Sequence, residues 1–509
     1  MKRDGNLVSL WQNTVDEFQP TNSWNKDETY DVLIVGGGIT GLTTALLLQT
    51  EGKKCILAEA YNIGFGTTGG TTAHLNTILD TPYNVIARNF DEETTKVVAG
   101  ASREAIDLIE GLVNKYNIDC DFSYQPAFLY AETDEEEKEL EKLERAAVTA
   151  GVATSCSDSL PIAFKFKKIC RFDMQAQIHP TKYIRGLAKA FEENGGVILQ
   201  NCIVDTVSGK EPIQAETALG TITANYLVYA THIPPGINLL HFRCAPYRSY
   251  AMAFTLKSGK YPTGLVYDMK DPYNYFRTHT IDGVEYVIAG GFDHKTGHKK
   301  NTGESFRELE AYVRKQFDID TVAHKWSSQY FTSTDGLPYI GKLPGHENIY
   351  TGTGFSGNGL IFGSLTGKII CEMLTNGESR YEKVFSPSRI KPIAGFAEFV
   401  KENLDVVSQF VRKRMSYEKI EALVELAPGE ATLAEWEGKK VALYKDENGK
   451  VHALDPVCPH AKCVVEWNSA EKSWDCPCHG GRYAPNGALL TGPATRGLTQ
   501  IIWEDIEGD

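Results

Sequence analysis

Residues 30–60, YDVLIVGGGITGLTTALLLQTEGKKCILAEA, decide the first part of the fold. The apolar run 31–35 predicts a short strand, and the glycines after it predict a tight turn into a helix. Backbone N–H groups at such a helix N-terminus can approach a pyrophosphate. A second predicted strand, 55–58, ends in Glu59, 21 residues after Gly38, where a partner for ribose hydroxyls is expected. The stretch predicts a dinucleotide-binding unit that uses Gly36 for the tight turn, Gly38 for the approach to the pyrophosphate, Gly41 for close packing of helix and strand, and Glu59 for the ribose.

Two further stretches predict cofactor contacts. The loop 64–74, GFGTTGGTTAH, offers backbone donors and hydroxyls to phosphates and to the ring edge of a large cofactor. A flexible surface loop is the alternative, but threonine is stiffer than the residues of typical linkers. The second stretch, 352–359, GTGFSGNG, precedes a predicted helix and again presents unpaired N–H groups. The hydroxyls expected to contact the cofactor are those of Thr67, Thr68, Thr71 and Thr72.

Length and charge limit the class of protein. A chain of 509 residues is too long for one core and predicts two to four domains. Its net charge of −14 argues against nucleic acid or an acidic membrane as a partner, because both need a basic surface. The sequence contains no run of 18 apolar residues and no apolar signal segment at its start, so we expect no transmembrane segment and a cytoplasmic location.

Four of the eleven cysteines crowd near the C-terminal end, between positions 458 and 478. Cys458 and His460 form a Cys-x-His pair, and Cys476 and His479 form a Cys-x-x-His pair after 15 intervening residues. Two thiolates and two imidazoles are the ligand set of a Rieske [2Fe-2S] centre, with the thiolates on one iron and the imidazoles on the other. A tetrahedral zinc site could use the same four atoms and is the competing interpretation.

The first 380 residues resemble the FAD-dependent amine and amino-acid oxidoreductases of the glycine oxidase and D-amino-acid dehydrogenase superfamily. The resemblance rests on the βαβ glycines, the Gly/Thr loop and the second glycine turn, in this order. It implies FAD as the cofactor, backbone contacts from Val204 near the adenine, and the second glycine turn facing the flavin. It also implies oxidation of a C–H bond next to nitrogen. The turn residues expected at the flavin are Gly354, Phe355, Gly357 and Gly359.

Three residues of this module need separate mention. Arg277 lies where the superfamily often carries an arginine, which implies a clamp for a substrate carboxylate; a structural ion pair is the alternative. The usual glycine after the Ala-Thr strand end is His232 in this chain, which changes the local pocket. His74 lies near the position where some relatives attach flavin covalently, but a lone histidine is more often a hydrogen-bonding partner.

The C-terminal cysteine and histidine pairs resemble those of Rieske proteins in cytochrome bc complexes. The resemblance implies Cys458, His460, Cys476 and His479 as cluster ligands. It also implies a disulfide between the two loops, and Cys463 and Cys478 match that pair, which decides against zinc. Gly481 replaces a serine that commonly donates a hydrogen bond to the cluster, whereas the second donor, Tyr483, is retained. Losing one donor should lower the reduction potential, so we expect a mid-range value.

These patterns predict a multidomain architecture. We expect an N-terminal arm (1–28), an α/β FAD-binding Rossmann-like domain with an α+β substrate domain (29–385), a linker with a helix (386–416), and an all-β Rieske domain (417–509). The FAD-binding segments are expected at about 29–80, 175–235 and 333–378, with the substrate domain formed by the segments between them. Residues 80–165 are expected to be mainly helical and to include an acidic helix over 134–147.

The whole chain resembles bacterial proteins, Bacillus-type among them, that fuse a glycine-oxidase-like FAD module to a Rieske domain. We therefore expect an FAD-dependent oxidoreductase that takes electrons from an amine or amino acid and passes them through the cluster to an unknown acceptor. An electron-transfer or redox-sensing protein without a small substrate is the alternative. A Rieske oxygenase is disfavoured, because none of the 12 histidines has an aspartate three residues before it.

Overall fold

The structure is a computed structural model that describes residues 3–162, 164–389, 426–436 and 439–501. The predicted linker helix over 398–412, most of the predicted linker 386–416 and the first residues of the predicted C-terminal domain lie outside these ranges. None of the helices in the described ranges combines the length and the apolar character needed to cross a bilayer.

The elements of the N-terminal module alternate between strands and helices. Its strands are β1 (Thr29–Val35), β2 (Cys55–Ala58), β3 (His74–Leu75), β4 (Ser123–Ala131), β5 (Thr154–Cys156), β6 (Lys168–Gln177), β7 (Val197–Leu199), β8 (Val204–Ser208), β9 (Ile213–Thr217), β10 (Gly220–Tyr229), β11 (Cys244–Leu256), β12 (Leu265–Asp268), β13 (Tyr275–Ile281), β14 (Val284–Lys295), β15 (Ile319–Ser333), β16 (Tyr339–Lys342) and β17 (Ile349–Thr353). Its helices are α1 (Leu10–Asn13), α2 (Ile39–Thr50), α3 (Thr67–Gly70), α4 (Tyr83–Asn89), α5 (Glu92–Tyr116), α6 (Asp134–Thr149), α7 (Pro180–Glu193), α8 (Thr302–Gln316), α9 (Gly359–Asn376) and α10 (Glu382–Phe385).

The first sheet is built around the quoted stretch. Its order is β16-β17-β10-β1-β2-β7, and the β8–β9 hairpin extends from β10. Strand β1 pairs in parallel with β10 and β2, and β7 and β17 continue the parallel arrangement. Helices α2 and α9 pack together on this sheet, and the apolar residues of α2 are almost all buried. The carboxyl ends of parallel strands meet at one edge, which is where α/β sheets bind ligands.

The second sheet has the order β15-β11-β14-β13-β12-β4-β6-β3, with β5 paired to β6. It faces the carboxyl edge of the first sheet. Helices dominate residues 80–165 as predicted, and α6 is the predicted acidic helix. The prediction did not include β4. Only its second half, residues 127–131, is a continuous buried apolar run, and it lies between β12 and β6, so the strand lacks an alternating pattern.

The C-terminal module is all-β, as predicted. One sheet contains β18 (Ala431–Trp436), β19 (Lys439–Lys445) and β20 (Val451–Leu454), and the other contains β21 (Glu466–Asn468), β22 (Ser473–Asp475), β23 (Arg482–Tyr483) and β24 (Leu489–Thr491). The predicted hairpin turn lies between β19 and β20, with Gly449 at φ +83°. The predicted cluster ligands lie on the loops around β21–β23.

Buried ion pairs join the two modules and the N-terminal arm. The Arg482 guanidinium contacts Asp4 at 2.8 Å and Asp475 at 3.1 Å, and Arg248 contacts Asp475 at 3.2 Å. Glu471 accepts hydrogen bonds of 2.8 Å from the backbone N–H and the hydroxyl of Ser327. The arm therefore does more than lie on the first domain, because Asp4 belongs to the seam between the modules.

Candidate cofactor cavity and metal centre

A cavity of about 630 Å³ runs from the β1–α2 turn to the underside of the second sheet. Residues 489–495 of the C-terminal module close one end, where the Tyr61 hydroxyl donates a hydrogen bond to the Leu489 carbonyl. The predicted cofactor residues that line the cavity are Gly36, Gly38, Glu59, Thr67, Thr68, Thr71, Thr72, Val204, Phe355, Gly357 and Gly359. Two predicted contacts, Gly41 and Gly354, lie outside the lining.

Each glycine of the βαβ turn is required at its position for a different structural reason. Gly36 has φ +115°, and a Cβ there would lie 2.5 Å from the Ala230 carbonyl oxygen. A Cβ on Gly41 would lie 1.8 Å from the carbonyl oxygen of Gly36, so Gly41 allows close packing of α2 rather than cofactor contact. Gly38 is the N-cap of α2 and supplies no side-chain cap, which leaves the helix N-terminus facing the cavity.

Glu59 ends β2 at the predicted place. Its carboxylate accepts hydrogen bonds from the backbone N–H groups of Gly37 at 2.6 Å and Tyr61 at 3.0 Å. Burial raises the pKa of Glu59, although these bonds act in the opposite direction. A carboxylate held by two backbone donors at the wall of this cavity can accept hydrogen bonds from the hydroxyls of a ribose.

The threonine loop forms the wall beside this turn. Thr68 Oγ1 accepts a hydrogen bond of 3.1 Å from the Ile39 N–H group, which fixes the loop to the start of α2. Thr67 Oγ1 donates to the Gln329 carbonyl at 2.9 Å and lies 3.3 Å from His232 Nδ1. Burial lowers the pKa of His232 to about 4, so its imidazole is neutral at pH 7. The volume of about 630 Å³, the helix N-terminus and the carboxylate fit FAD.

Arg277 is placed differently from the predicted clamp. Its guanidinium is fully buried behind the cavity wall, donates to the carbonyls of Ala73 at 2.7 Å and Ile178 at 3.2 Å, and lies 5.0 Å from the Trp11 ring centroid. Burial lowers the pKa of Arg277 to about 9. Contrary to the expectation, this side chain supports the strand beside His74 and does not face the cavity. His74 itself lines the cavity, and its Nδ1 lies 3.2 Å from Thr72 Oγ1.

The four predicted cluster ligands come together in the C-terminal module. Cys458 and Cys476 are buried free thiols that share a hydrogen bond, which lowers the pKa of Cys458 to about 6. The imidazole centroids of His460 and His479 lie 5.0 Å apart. Both Nδ1 atoms are buried and have no hydrogen-bond partner, as expected for atoms that bind a metal. His460 Nε2 lies 3.1 Å from the Gly236 carbonyl, which assigns its proton to Nε2 and leaves Nδ1 free to coordinate.

The predicted disulfide is present between Cys463 and Cys478. The sulfurs of these two residues and of Cys476 lie within 4.8 Å of one another, but disulfide-bonded sulfurs are not available as thiolate ligands. The second predicted hydrogen-bond donor, the Tyr483 hydroxyl, lies 3.0 Å from Cys458 Sγ. The buried thiols, the two unpartnered imidazole nitrogens and this donor fit a [2Fe-2S] cluster.

A segment of the N-terminal module covers the two histidines. The His241 ring centroid lies 4.5 Å from that of His460 and 5.4 Å from that of His479. Its Nε2 lies 2.9 Å from the Pro234 carbonyl, and burial lowers the pKa of His241 to about 3. Sequence reasoning missed this contact, because no local pattern links residues 234–242 to a loop more than 200 positions later.

Comparisons with known proteins agree with both sites. The model of the "FAD dependent oxidoreductase" family matches residues 31–373, and the "Rieske [2Fe-2S] domain" model matches residues 417–501. The chain is 30% identical to YhfW, a Bacillus subtilis protein named as a Rieske 2Fe-2S iron-sulfur protein, over 97% of each chain. It is 25% identical to gamma-glutamylputrescine oxidoreductase of Escherichia coli, over 74% of this chain and 90% of that one. The structure of glycine oxidase from Geobacillus kaustophilus is similar in fold, with a TM-score of 0.59 and 18% identity over 71% of this chain and 99% of that one.

Proposed function

Because this chain belongs to the FAD dependent oxidoreductase family and carries a Rieske [2Fe-2S] domain, we propose that it oxidises an amine or an amino acid and passes the electrons through its own cluster to an outside acceptor. When bound, FAD accepts a hydride from a carbon next to nitrogen and the cluster accepts single electrons. The protein's task is to hold the substrate, exclude water and keep the two centres in fixed relation.

The contact between the modules carries this proposal. Thr67, on the cavity wall, donates a hydrogen bond to the backbone of Gln329. The side chain of Gln329 in turn donates to the Gly480 carbonyl at 2.9 Å, next to the proposed ligand His479. Covalent bonds and two hydrogen bonds thus connect the FAD cavity with the cluster loop without a gap. Such a connection holds the FAD cavity and the cluster loop in fixed relation, which supports electron transfer between them.

The chain's own residues would hold the two groups as follows. The N-terminus of α2 would hold the pyrophosphate, Glu59 would accept hydrogen bonds from the ribose, and the threonine loop and the second glycine turn would hold the ring system. The residues proposed to hold FAD are Gly36, Gly38, Glu59, Thr67, Thr68, Thr71, Thr72, Val204, Phe355, Gly357 and Gly359. The residues proposed to hold the cluster are Cys458, His460, Cys476 and His479.

The test is an anaerobic titration of the purified holoprotein with a panel of amines and amino acids. We expect at least one compound to bleach the flavin absorption band and then to produce the EPR signal of a reduced Rieske cluster. Bleaching without cluster reduction would refute the electron route. If no compound bleaches the flavin but a reduced carrier protein reduces the cluster, the alternative of an electron-transfer protein is favoured.

A further inference from the structure

The half of the cavity under the second sheet, called the substrate half below, is lined by tyrosine side chains and a carboxylate. Tyrosines 267, 273, 275 and 330 line it, and the rings of Tyr273 and Tyr275 lie 5.8 Å apart. Asp293 lies among them, and its Oδ2 accepts a hydrogen bond of 2.8 Å from the Tyr330 hydroxyl. Its other oxygen, Oδ1, is buried and has no partner within hydrogen-bond geometry, while the Ser249 hydroxyl lies close enough to lower the pKa of this carboxyl. A buried carboxylate oxygen without a partner is costly unless a ligand satisfies it.

The backbone of β14 directs Asp293 into the cavity. The register between β11 and β14 shifts between Arg248 and Tyr250, opposite residues 291–294. Gly291 has φ +143°, and Phe292 has φ +58°, a conformation that a bulky side chain rarely adopts. A bulge of this kind turns a side chain to the other face of a strand, and such strain is concentrated at functional sites. The bulge in β14 therefore directs the Asp293 carboxylate into the substrate half of the cavity.

Two other acidic groups of this half, Asp80 and Asp268, are already satisfied by hydrogen bonds, and a third, Asp271, is exposed to solvent. Asp80 accepts hydrogen bonds from the Gly357 N–H group at 2.6 Å and the Tyr273 hydroxyl at 2.9 Å. Asp268 accepts from both the backbone and the side chain of Asn274. Asp293 is therefore the carboxylate that can accept a charged ligand in this half.

The cation on the described part of this wall, Lys270, is already paired with carboxylates. Among the lining residues that the structure describes, there is no arginine, and the ammonium group of Lys270 is engaged by Glu132 at 3.3 Å and Asp268 at 3.6 Å. Burial keeps His74 neutral by lowering its pKa well below the usual value. A substrate carboxylate would find no positive partner here, whereas an ammonium group would find Asp293 and the faces of tyrosine rings.

We propose that the tyrosine-lined half of the cavity binds an organic ammonium ion, with Asp293 as its anionic partner, so that the substrate is an amine rather than an amino acid held by its carboxylate. This inference rests on the proposed function in taking this half as the substrate site. According to this inference, the substrate that donates electrons is a cationic amine, and Asp293 on the bulged strand determines that specificity.

The test measures binding to the oxidised holoprotein by calorimetry and by the shift of the flavin spectrum. The probes are tetramethylammonium, which has no lone pair to be oxidised, neopentyl alcohol, its neutral counterpart, and pivalate, an anion of similar size. We expect tetramethylammonium to bind most tightly and pivalate least. Asp293→Asn should weaken tetramethylammonium binding by about tenfold or more, since hydrogen bonds and contacts to a charged group contribute strongly, and should leave neopentyl alcohol unaffected.

Asp282→Asn is the matched control, because Asp282 lies exposed in the turn between β13 and β14 at φ +50°, where asparagine is tolerated. Pivalate binding more tightly than tetramethylammonium would overturn the proposal in the unmodified protein, even if Asp293→Asn fails to fold. Equal tetramethylammonium affinity in Asp293→Asn would also overturn it. If tetramethylammonium binds as expected but reduced flavin does not reduce the cluster, the electron route fails and this inference stands.

Discussion

Gln329 Nε2 donates a hydrogen bond of 2.9 Å to the carbonyl oxygen of Gly480, and this bond joins the FAD cavity wall to the cluster loop. We expect Gln329→Leu to slow cluster reduction several-fold after flavin is reduced, because the substitution removes the donor and opens a gap in the connection. Stopped-flow absorption measures the rate. The EPR spectrum of the isolated cluster should be unchanged, since Gln329 does not touch the four proposed ligands.

Gln214→Leu is the control for this variant, because Gln214 lies exposed on β9, far from the seam. An unchanged rate in Gln329→Leu would mean that electrons use another path, such as the contact of His241 with His460 and His479. A slowed rate in both variants would point to a general effect on folding rather than on the connection.

Tyr483→Phe should lower the reduction potential of the cluster. The hydroxyl lies 3.0 Å from Cys458 Sγ, and a hydrogen bond to this sulfur stabilises the additional negative charge of the reduced state. The expected decrease is roughly 60 mV, the one-electron equivalent of about 1.4 kcal/mol for one lost bond to a charged group. Potentiometric titration followed by EPR measures it. A potential that does not move would show that the hydroxyl does not donate to the sulfur.

Gly481→Ser should have the opposite effect. A Cβ at position 481 would lie 3.8 Å from Cys458 Sγ, so a serine hydroxyl could donate to the cluster sulfurs. The same Cβ would lie 3.2 Å from the Tyr483 hydroxyl, which must shift by a few tenths of an ångström. We expect an increase of roughly 60 mV if one new bond forms. Gly481→Ala, which has the Cβ but no hydroxyl, separates the bond from the steric effect and should leave the potential close to that of the parent.

Tetramethylammonium affinity should rise with pH. Burial raises the pKa of Asp293 to about 7, so its carboxyl is mostly neutral below pH 7 and ionised above it, whereas the charge of the probe is constant. We expect about tenfold tighter binding at pH 8 than at pH 6. Other titratable groups face the same space. They are Asp80, Asp268, Lys270, Asp271, His74, Tyr267, Tyr273, Tyr275 and Tyr330.

Burial keeps the four tyrosines protonated by raising the pKa of each, and it keeps His74 neutral. Burial also raises the pKa of Asp80, so Asp80 is the competing source of a pH effect. In Asp293→Asn the pH dependence should disappear. A dependence that persists in this variant would assign the titration to Asp80 and contradict the role given to Asp293.

Asp4→Asn should destabilise the seam between the modules. The variant leaves Arg482 with one carboxylate partner in a buried site, and loss of one member of a buried ion pair typically costs about 3 to 5 kcal/mol. Denaturant unfolding followed by the cluster absorption measures the change. Asp27→Asn, at an exposed position of the same arm, should have no measurable effect. Equal stability of the two variants would mean that the seam does not depend on this charge.

The parts of the site that sequence reasoning predicted are those encoded locally. The β1–α2 turn, Glu59 and the four proposed cluster ligands depend on spacings of a few residues within one loop or one βαβ unit. Gly41 has the close-packing role that the motif predicts, whereas Gly354 matches a turn expected at the flavin but lies outside the cavity lining.

Arg277 and Asp293 show the limit of this reasoning. An arginine on a strand can face either side of the sheet. The sequence does not tell which side, and the tertiary structure places Arg277 against the Trp11 ring. Asp293 faces the cavity because of the bulge at Gly291 and Phe292. The two glycines at 290 and 291 inside a strand were a signal for such a bulge. No sequence signal pointed to Gln329, because its two partners are 262 and 151 positions away.

The ion pair of Asp4 and Arg482 also sets an order of events during synthesis. The two residues are separated by 478 positions, so the aspartate leaves the ribosome long before its partner exists. The N-terminal module can collapse while the last strands are still being made, but the Asp4 carboxylate cannot reach its guanidinium partner until Arg482 has been synthesised. The buried ion pair at the beginning of the chain is therefore completed only after the cysteine loops, which precede Arg482, have left the ribosome.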